Sequence, residues 1–383
     1  MTALKIFFVV NVDWFFLSHR LPIALAALKE GYNVTIVTKN TGKKEEIESY
    51  GLRFIDIDFE RSGSNPLQEI KCILSLIKLY KKEKPNIIHN VTLKAALLSS
   101  TAAKLTGLKQ VVNAISGFGY NFIEGRNGLK QKIVKQMMSF AFKSKYFHFI
   151  FQNPNDTQQF QNLRFASENN IHLIKGSGVD LQQFTFENEI LKDKVRLILP
   201  ARMLKDKGVF EFIEAAKKIK ERVAAKAEFI LAGDCDTLNL AGFQEEELKQ
   251  ALDVPYIQWI GFQKDMFRVY KESDVVVLPS YREGLPKSLI EACAVGRPII
   301  TTDTQGCREC VTENYNGYLV PVKDTEILSL RMETLINDPE MREKMGKNSR
   351  VLAEREFSVD KVIEAHFAIY NTLSQSKRIF NKH

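Results

Sequence analysis

Residues 280–296 read SYREGLPKSLIEACAVG, with Glu283 and Glu291 eight positions apart. The stretch follows an apolar, strand-like run, Asp274-Val275-Val276-Val277-Leu278. Glu283 sits in a Gly/Pro loop, and Glu291 is expected about two turns into the helix that follows. A strand, a glycine loop and a helix start gather unpaired backbone N–H groups at one point, which suits an anion. A carboxylate at each end of that cradle can grip hydroxyl groups on either side of a bound diphosphate.

Outward from this stretch the pattern repeats. Leu4–Val10, Asn33–Val37, Arg53–Ile57, Asn86–His89, Gln110–Ala114 and His148–Phe151 read as strands with helices between them. Ser18–Glu30 reads as one helix, with Ser18 as a cap and Gly31 as the stop. Past Gly178 the series restarts with Val195–Leu199, Glu228–Leu231, Tyr256–Trp259, Asp274–Leu278, Pro298–Thr301 and Tyr318–Val320. Such alternation predicts an α/β protein of two doubly wound, parallel-sheet domains. The expected boundaries are 1–177 and 178–358, with a break at Phe357-Ser358 and a further amphipathic helix from Val359. Open parallel sheets hold ligands at the carboxyl ends of their strands, here expected in a cleft between the two domains.

Composition agrees with a folded, water-exposed chain. Of 383 residues, 45% are hydrophobic and 26% charged, and no apolar run is long enough to span a bilayer. The N-terminal run Ile6–Val10 is interrupted by Asn11 and Asp13 and lacks a small-residue cleavage site, so it reads as a core strand. Five cysteines without an export signal point to a reducing cytoplasm. Cys307 and Cys310 form a lone CxxC without a second ligand pair, so free thiols are expected and a zinc site is not.

The net charge is +8, and no RNA-binding or DNA-reading signature accompanies it. The lysines instead fall within apolar stretches. Lys130, Lys132, Lys135, Lys143 and Lys145 are interleaved with Ile133, Val134, Met137, Met138 and Phe140. Lys71, Lys78, Lys81, Lys82 and Lys84 lie among Ile73, Leu74, Leu76 and Ile77. These read either as domain helices with solvated lysine faces or as basic amphipathic helices for an anionic membrane surface.

Five loops of the second half should share one sheet edge. Arg202 and Lys207, two cations ahead of Gly208, can neutralise a diphosphate and stabilise it as it leaves, whereas Lys205 is expected to be solvated. Gly233 permits close backbone approach, and Asp234 is either a hydroxyl ligand or a turn former. Gly261-Phe262, with Asp265 opening the next helix, can frame a base. Glu283-Gly284-Leu285 and Asp303–Glu309 complete the set. Together they describe a nucleotide-sugar site.

Arg202…Lys207, Gly233-Asp234, Glu283…Glu291 and the stretch GLPKSLIEACAVGRPIITTD (284–303) resemble glycosyltransferase family 4, retaining enzymes of the GT-B fold. In the first half, FFLSHRLPIA, ERSGSNP, HNVTLKAALLSSTAAKLTG and VVNAISGFGYNF resemble bacterial transferases that add a sugar to a polyprenyl-diphosphate-linked acceptor. The N,N'-diacetylbacillosaminyl-diphospho-undecaprenol N-acetylgalactosaminyltransferases are one such group.

The resemblance implies that Arg202 and Lys207 bind the donor diphosphate. Glu283 would face the donor sugar and Glu291 the ribose, with backbone N–H groups near Gly284 and Leu285 on the phosphate. It also implies a last helix, about 359–383, that crosses back to the first domain. It implies a UDP-sugar donor, no metal cofactor, front-face transfer with retention, and a peripheral place on the cytoplasmic membrane face. Asp56-Ile57-Asp58, on a strand and its exit, is not read as a metal motif. Asn11, His19, His89, Gly117 and Gly119 mark the acceptor region.

Two departures stand out. The loop after the first strand, Asn11–Phe16, lacks the family's glycine pair, and His89 falls two positions short of the family's histidine, where Val91 or Thr92 stands. A direct role and a core position are both open for His89, and likewise for His19. A UDP-sugar epimerase and a non-catalytic nucleotide-sugar-binding protein are the competing readings. A dehydrogenase is disfavoured, since no G-x-G-x-x-G follows a first strand.

Overall fold

The structure, a computed structural model, describes residues 3–59, 65–117, 129–186, 193–223, 225–236, 239, 241–252 and 254–380. It divides into two compact units, 1–177 with 362–383, and 178–361.

The first unit runs β1 (Lys5–Val10), α1 (Asp13–His19), α2 (Leu21–Lys29), β2 (Asn33–Thr38), α3 (Lys44–Ser49), β3 (Arg53–Asp56), α4 (Pro66–Glu83), β4 (Ile87–Val91), α5 (Leu93–Leu105), β5 (Val111–Ile115), α6 (Leu129–Phe142), β6 (Phe147–Phe151), α7 (Pro154–Leu163) and β7 (Ile171–Leu173). Its described strands form one parallel sheet, ordered β3-β2-β1-β4-β5-β6-β7. Strands β4, β5 and β6 are buried along their whole length, as a sheet covered on both faces requires.

The second unit runs β8 (Val195–Pro200), α8 (Val209–Val223), β9 (Ala227–Ala232), α9 (Glu245–Ala251), β10 (Ile257–Trp259), α10 (Met266–Lys271), β11 (Val275–Leu278), α11 (Lys287–Val295), β12 (Ile299–Thr302), β13 (Gly317–Val320), α12 (Thr325–Asn337) and α13 (Pro339–Glu356). Its sheet is also parallel, ordered β10-β9-β8-β11-β12-β13. The two ends of this unit are stitched together: Val179 N–H donates to Phe357 O at 2.8 Å, and Val359 N–H donates to Val179 O at 3.0 Å. Helix α14 (Val359–Phe380) belongs to the first unit from Val362 onward, where Val362, Ile369, Tyr370 and Leu373 join its core.

Several expectations need correction. The single helix over Ser18–Glu30 is two helices, and most of the expected Asn11–Phe16 loop is the first turn of α1. The break falls at Arg20 because Pro22 lacks an N–H and its ring would clash with the carbonyl four residues back. Ser18 is thus inside α1, its hydroxyl donating to Phe15 O, and is not a cap. The edge strand β7 went unread, because three residues are too short to show a period. Glu291 is the fifth residue of α11, little more than one turn in. No helix among the described residues is long and apolar enough to cross a membrane.

Candidate active site in the second unit

In the second unit the strand order reverses direction between β8 and β11, the point where doubly wound sheets open a crevice at their carboxyl edge. The loop carrying Arg202 and Lys207 leaves β8 there, and the loop carrying Glu283 leaves β11.

Backbone contacts fasten the two loops. Lys205–Lys207 form a single 3-10 turn, closed by Gly208 in the left-handed region at φ +73°. A Cβ on Gly208 would lie 2.2 Å from Pro279 O, so only glycine lets the turn approach the end of β11. Asp206 O then accepts from Tyr281 N–H at 2.8 Å and from Ser280 Oγ at 3.1 Å. With the loops so joined, Lys207 Nζ meets Glu283 Oε1 at 2.5 Å, both side chains mostly covered at 17% and 14% exposure. Such a short, charge-assisted contact is the strong kind of hydrogen bond.

Arg202 lies half exposed on the other side of the turn, its Nη1 2.6 Å from Asp236 Oδ2. Asp236 was not singled out from sequence, although it follows closely on the Gly233-Asp234 turn. Gly233 has φ +149°, and a Cβ there would lie 2.0 Å from Ala201 O. Asp234 acts as a turn former: its Oδ1 accepts from Phe262 N–H at 2.9 Å, and its carbonyl accepts from Met203 N–H at 2.9 Å. That bond holds Phe262 at the loop tip with 69% exposure, a free aromatic face beside the crevice edge. Lys205 points away, pairing with Glu247 at 3.4 Å on the surface.

Glu291 lies buried in α11, accepting from Tyr270 Oη at 3.3 Å and pairing with Lys287 Nζ at 3.3 Å. Burial raises its pKa, and the Lys287 ammonium opposes the rise. Leu285 packs its side chain into the core under the loop, and α11 begins with no side-chain cap. Cys307 and Cys310 are free, buried thiols raised by burial, Cys307 to about 11.

The acceptor-region residues of the first unit differ in character. Thr92, ahead of α5, has φ +77°, a strained value for a β-branched residue, and its hydroxyl donates to Asn11 Oδ1 at 3.4 Å. His19 is half-buried, stacked on Phe15 with ring centroids 4.0 Å apart. Gly117 has φ +117° with open space where a Cβ would stand. Gly119 lies outside the described residues. Of the two positions open for His89, the structure gives the core one. It is fully buried mid-strand in β4, stacked on Phe8 and His366, with Nδ1 2.5 Å from Tyr370 Oη. The side chains of Asp56 and Asp58 hold loops: Asp56 accepts from Asn40 N–H, and Asp58 takes Lys39 and Gln68.

Two doubly wound parallel-sheet units in one chain, the second with paired cations and carboxylates at its switch point, define the GT-B class of architecture. The chain belongs to the glycosyltransferases: the family "Glycosyl transferases group 1" matches residues 181–352, and "Glycosyl transferase 4-like" matches residues 5–153. It is 28% identical to the N,N'-diacetylbacillosaminyl-diphospho-undecaprenol alpha-1,3-N-acetylgalactosaminyltransferase of Campylobacter jejuni, over 87% of this chain and 92% of that one. It is 26% identical to the UDP-Gal:alpha-D-GlcNAc-diphosphoundecaprenol alpha-1,3-galactosyltransferase of Escherichia coli, over 88% of each. Among solved structures it resembles Anabaena HepE, crystallised with UDP and glucose. The TM-score is 0.76 at 16% identity, covering 97% of this chain and 99% of that one.

Proposed function

We propose that this glycosyltransferase moves a sugar, an N-acetylhexosamine in our reading, from a UDP-sugar to a polyprenyl-diphosphate-linked saccharide in bacterial surface-glycan assembly. The Lys207–Glu283 contact across the switch point carries the reading. It sets a cation for the departing diphosphate beside a carboxylate for sugar hydroxyls. Lys207 has three N–H donors and gives one to Glu283, so the same ammonium can also meet phosphate oxygens. Arg202 adds a second cation on the same loop. Glu291, its pKa raised by burial and its carboxylate flanked by Tyr270 and Lys287, is suited to hold ribose hydroxyls.

The transfer runs with retention. A carboxylate already engaged by an ammonium at 2.5 Å is a weak nucleophile, so Glu283 serves binding and not covalent attack. The acceptor hydroxyl approaches on the face the diphosphate leaves, and a diphosphate oxygen takes its proton. Charge developing on the diphosphate is met by Lys207, Arg202 and the start of α11, so no metal cofactor is invoked.

The acceptor is met at an anionic membrane face through α4, α5 and α6, which pack side by side. Leu67, Ile70 and Leu74 form an exposed stripe on α4, and Leu105, Met137 and Phe140 are exposed on α5 and α6. Exposed lysines 71, 78, 81, 82, 132, 135 and 143 surround them. Lys130 and Ile133 lie outside the described side chains. Apolar groups flanked by cations suit a headgroup layer.

The test is turnover across a panel of UDP-sugars with a short-chain polyprenyl-diphosphate glycan, with product stereochemistry read by NMR. Transfer with an α linkage from an α-linked donor is expected. An altered UDP-sugar formed with no acceptor present would instead make the chain an epimerase.

A further inference from the structure

We infer that Glu211 and Tyr281 form a positioning pair for the transfer step, holding the Lys207 turn against the Glu283 loop. The inference rests on the nucleotide-sugar reading above. Tyr281 stands two residues before Glu283, and Glu211 lies in the first turn of α8, four residues after Lys207. Tyr281 Oη donates to Glu211 Oε1 at 2.5 Å, and Lys323 Nζ stands 5.0 Å from the ring centroid.

Tyr281 N–H and Ser280 Oγ both donate to the one oxygen Asp206 O, so these two bonds fasten the turn at a single acceptor atom and leave a pivot about it. The phenol supplies a second attachment, one ring length away, and two points remove the pivot. A shift of about 1 Å at a reacting group can cost on the order of 100-fold in rate, so a pivot matters for Lys207 and Glu283. Burial, and then the bond to Glu211, push the phenol well above its ordinary pKa, so it stays a donor at any working pH.

The pair also carries a cost that mere packing would not need. Glu211 Oε2 and the neighbouring Asp206 Oδ1 are buried without hydrogen-bond partners. A tie needed only for stability could be built from two apolar side chains of similar shape. Glu211 is a carboxylate in the first turn of α8, where the helix dipole favours it, so orientation as well as contact is held.

The experiment is a double-mutant cycle read in kcat, in KM for the UDP-sugar, and in UDP affinity by calorimetry. Tyr281→Phe and Glu211→Ala should each lower kcat about 10-fold or more, with UDP affinity within about 2-fold and melting temperature unchanged. Glu211→Gln keeps the accepting oxygen and should recover kcat to within about 3-fold. The double variant Tyr281→Phe with Glu211→Ala should be no worse than either single, as two halves of one contact behave. A kcat for Tyr281→Phe within about 2-fold of the parent, or single effects that multiply in the double variant, would overturn the pair. Lys207→Ala is the control. If it abolishes turnover while Tyr281→Phe is normal, the pair alone fails. If it keeps full turnover and UDP affinity, the nucleotide-sugar reading fails first.

Discussion

The two units share a strand order yet differ in chemistry at the same place. Each sheet reverses between its first and fourth strands, and each offers loops at that edge. In the second unit the edge carries Arg202, Lys207, Glu283 and Asp236, charged and paired. In the first it carries Asn11 and Thr92, both neutral, with Thr92 strained. The first unit's charged groups near this edge, Asp13 and Arg20, are buried instead. Asp13 gathers Thr41 N–H, Thr41 Oγ1 and Lys43 N–H and so holds a loop. The same topology therefore sets up a crevice twice, and side-chain charge decides which one suits a diphosphate.

The hardest test of that contrast is substitution on both sides of it. Lys207→Ala should cut kcat/KM on the order of 100- to 1,000-fold, the usual loss when one charge-stabilising donor is removed, and should weaken UDP binding with it. Arg202→Ala, at a half-exposed position, should cost less, on the order of 10- to 100-fold. Asn11→Ala should leave UDP affinity unchanged and raise KM for the lipid-linked acceptor only. Calorimetry with UDP on the three variants separates the units. Equal losses of UDP affinity from Asn11→Ala and Lys207→Ala would erase the distinction.

Acid should separate the units too. The five histidines among the described residues lie in the first unit, and the structure buries several of them without a carboxylate partner. His366 is held down to about 3 and His148 to about 4, both chiefly by burial, and His89 well below its ordinary value for the same reason. Arg20, buried beside His89 and His366 with its Nε unpartnered, adds repulsion. A depressed histidine is neutral when folded and takes up a proton on unfolding. Its stabilising contribution is therefore complete above about pH 6.5 and is lost as pH falls toward the folded value. At pH 4, His366 alone should cost the first unit about 3 kcal/mol. Trp14 reports on the first unit and Trp259 on the second. Single-tryptophan variants should show Trp14 fluorescence changing between pH 6.5 and 4 while Trp259 holds. Simultaneous transitions would mean that the histidine cluster does not set acid stability.

The contrast also explains what could be read from the chain in advance. The second unit's six strands were legible because each is an apolar run ended by loop residues, and the Glu283…Glu291 spacing marked the site. Asp236 was hidden because its importance lies in reaching Arg202, 34 residues away, and spacing does not encode that contact. His89 was ambiguous for the same reason. Its partners, Tyr370 and His366, come from a helix nearly 280 residues further on, and only folding brings them together. The split of the first long helix was signalled by Pro22, two residues past Arg20, but apolar periodicity ran through it and outweighed the breaker.

The smallest effect expected concerns the stripe on α4. Leu74 is 58% exposed, so Leu74→Ser should change stability by no more than about 0.5 kcal/mol. Its exposed area should matter only when lipid covers it, with a fully buried leucine side chain worth about 1.5–3 kcal/mol and a partly inserted one less. Sedimentation with vesicles rich in anionic phosphatidylglycerol should therefore show Leu74→Ser binding a few-fold more weakly than the parent. Both should lose binding as salt rises from 50 to 500 mM, because screening weakens the lysine contribution first. The paired substitution Leu330→Ser sharpens the comparison. Leu330 is similarly exposed, at 53%, but stands on α12 of the second unit, so its loss should leave vesicle binding alone. If Leu330→Ser weakens vesicle binding as much as Leu74→Ser does, the lipid face is not confined to the first unit, and exposure alone accounts for both.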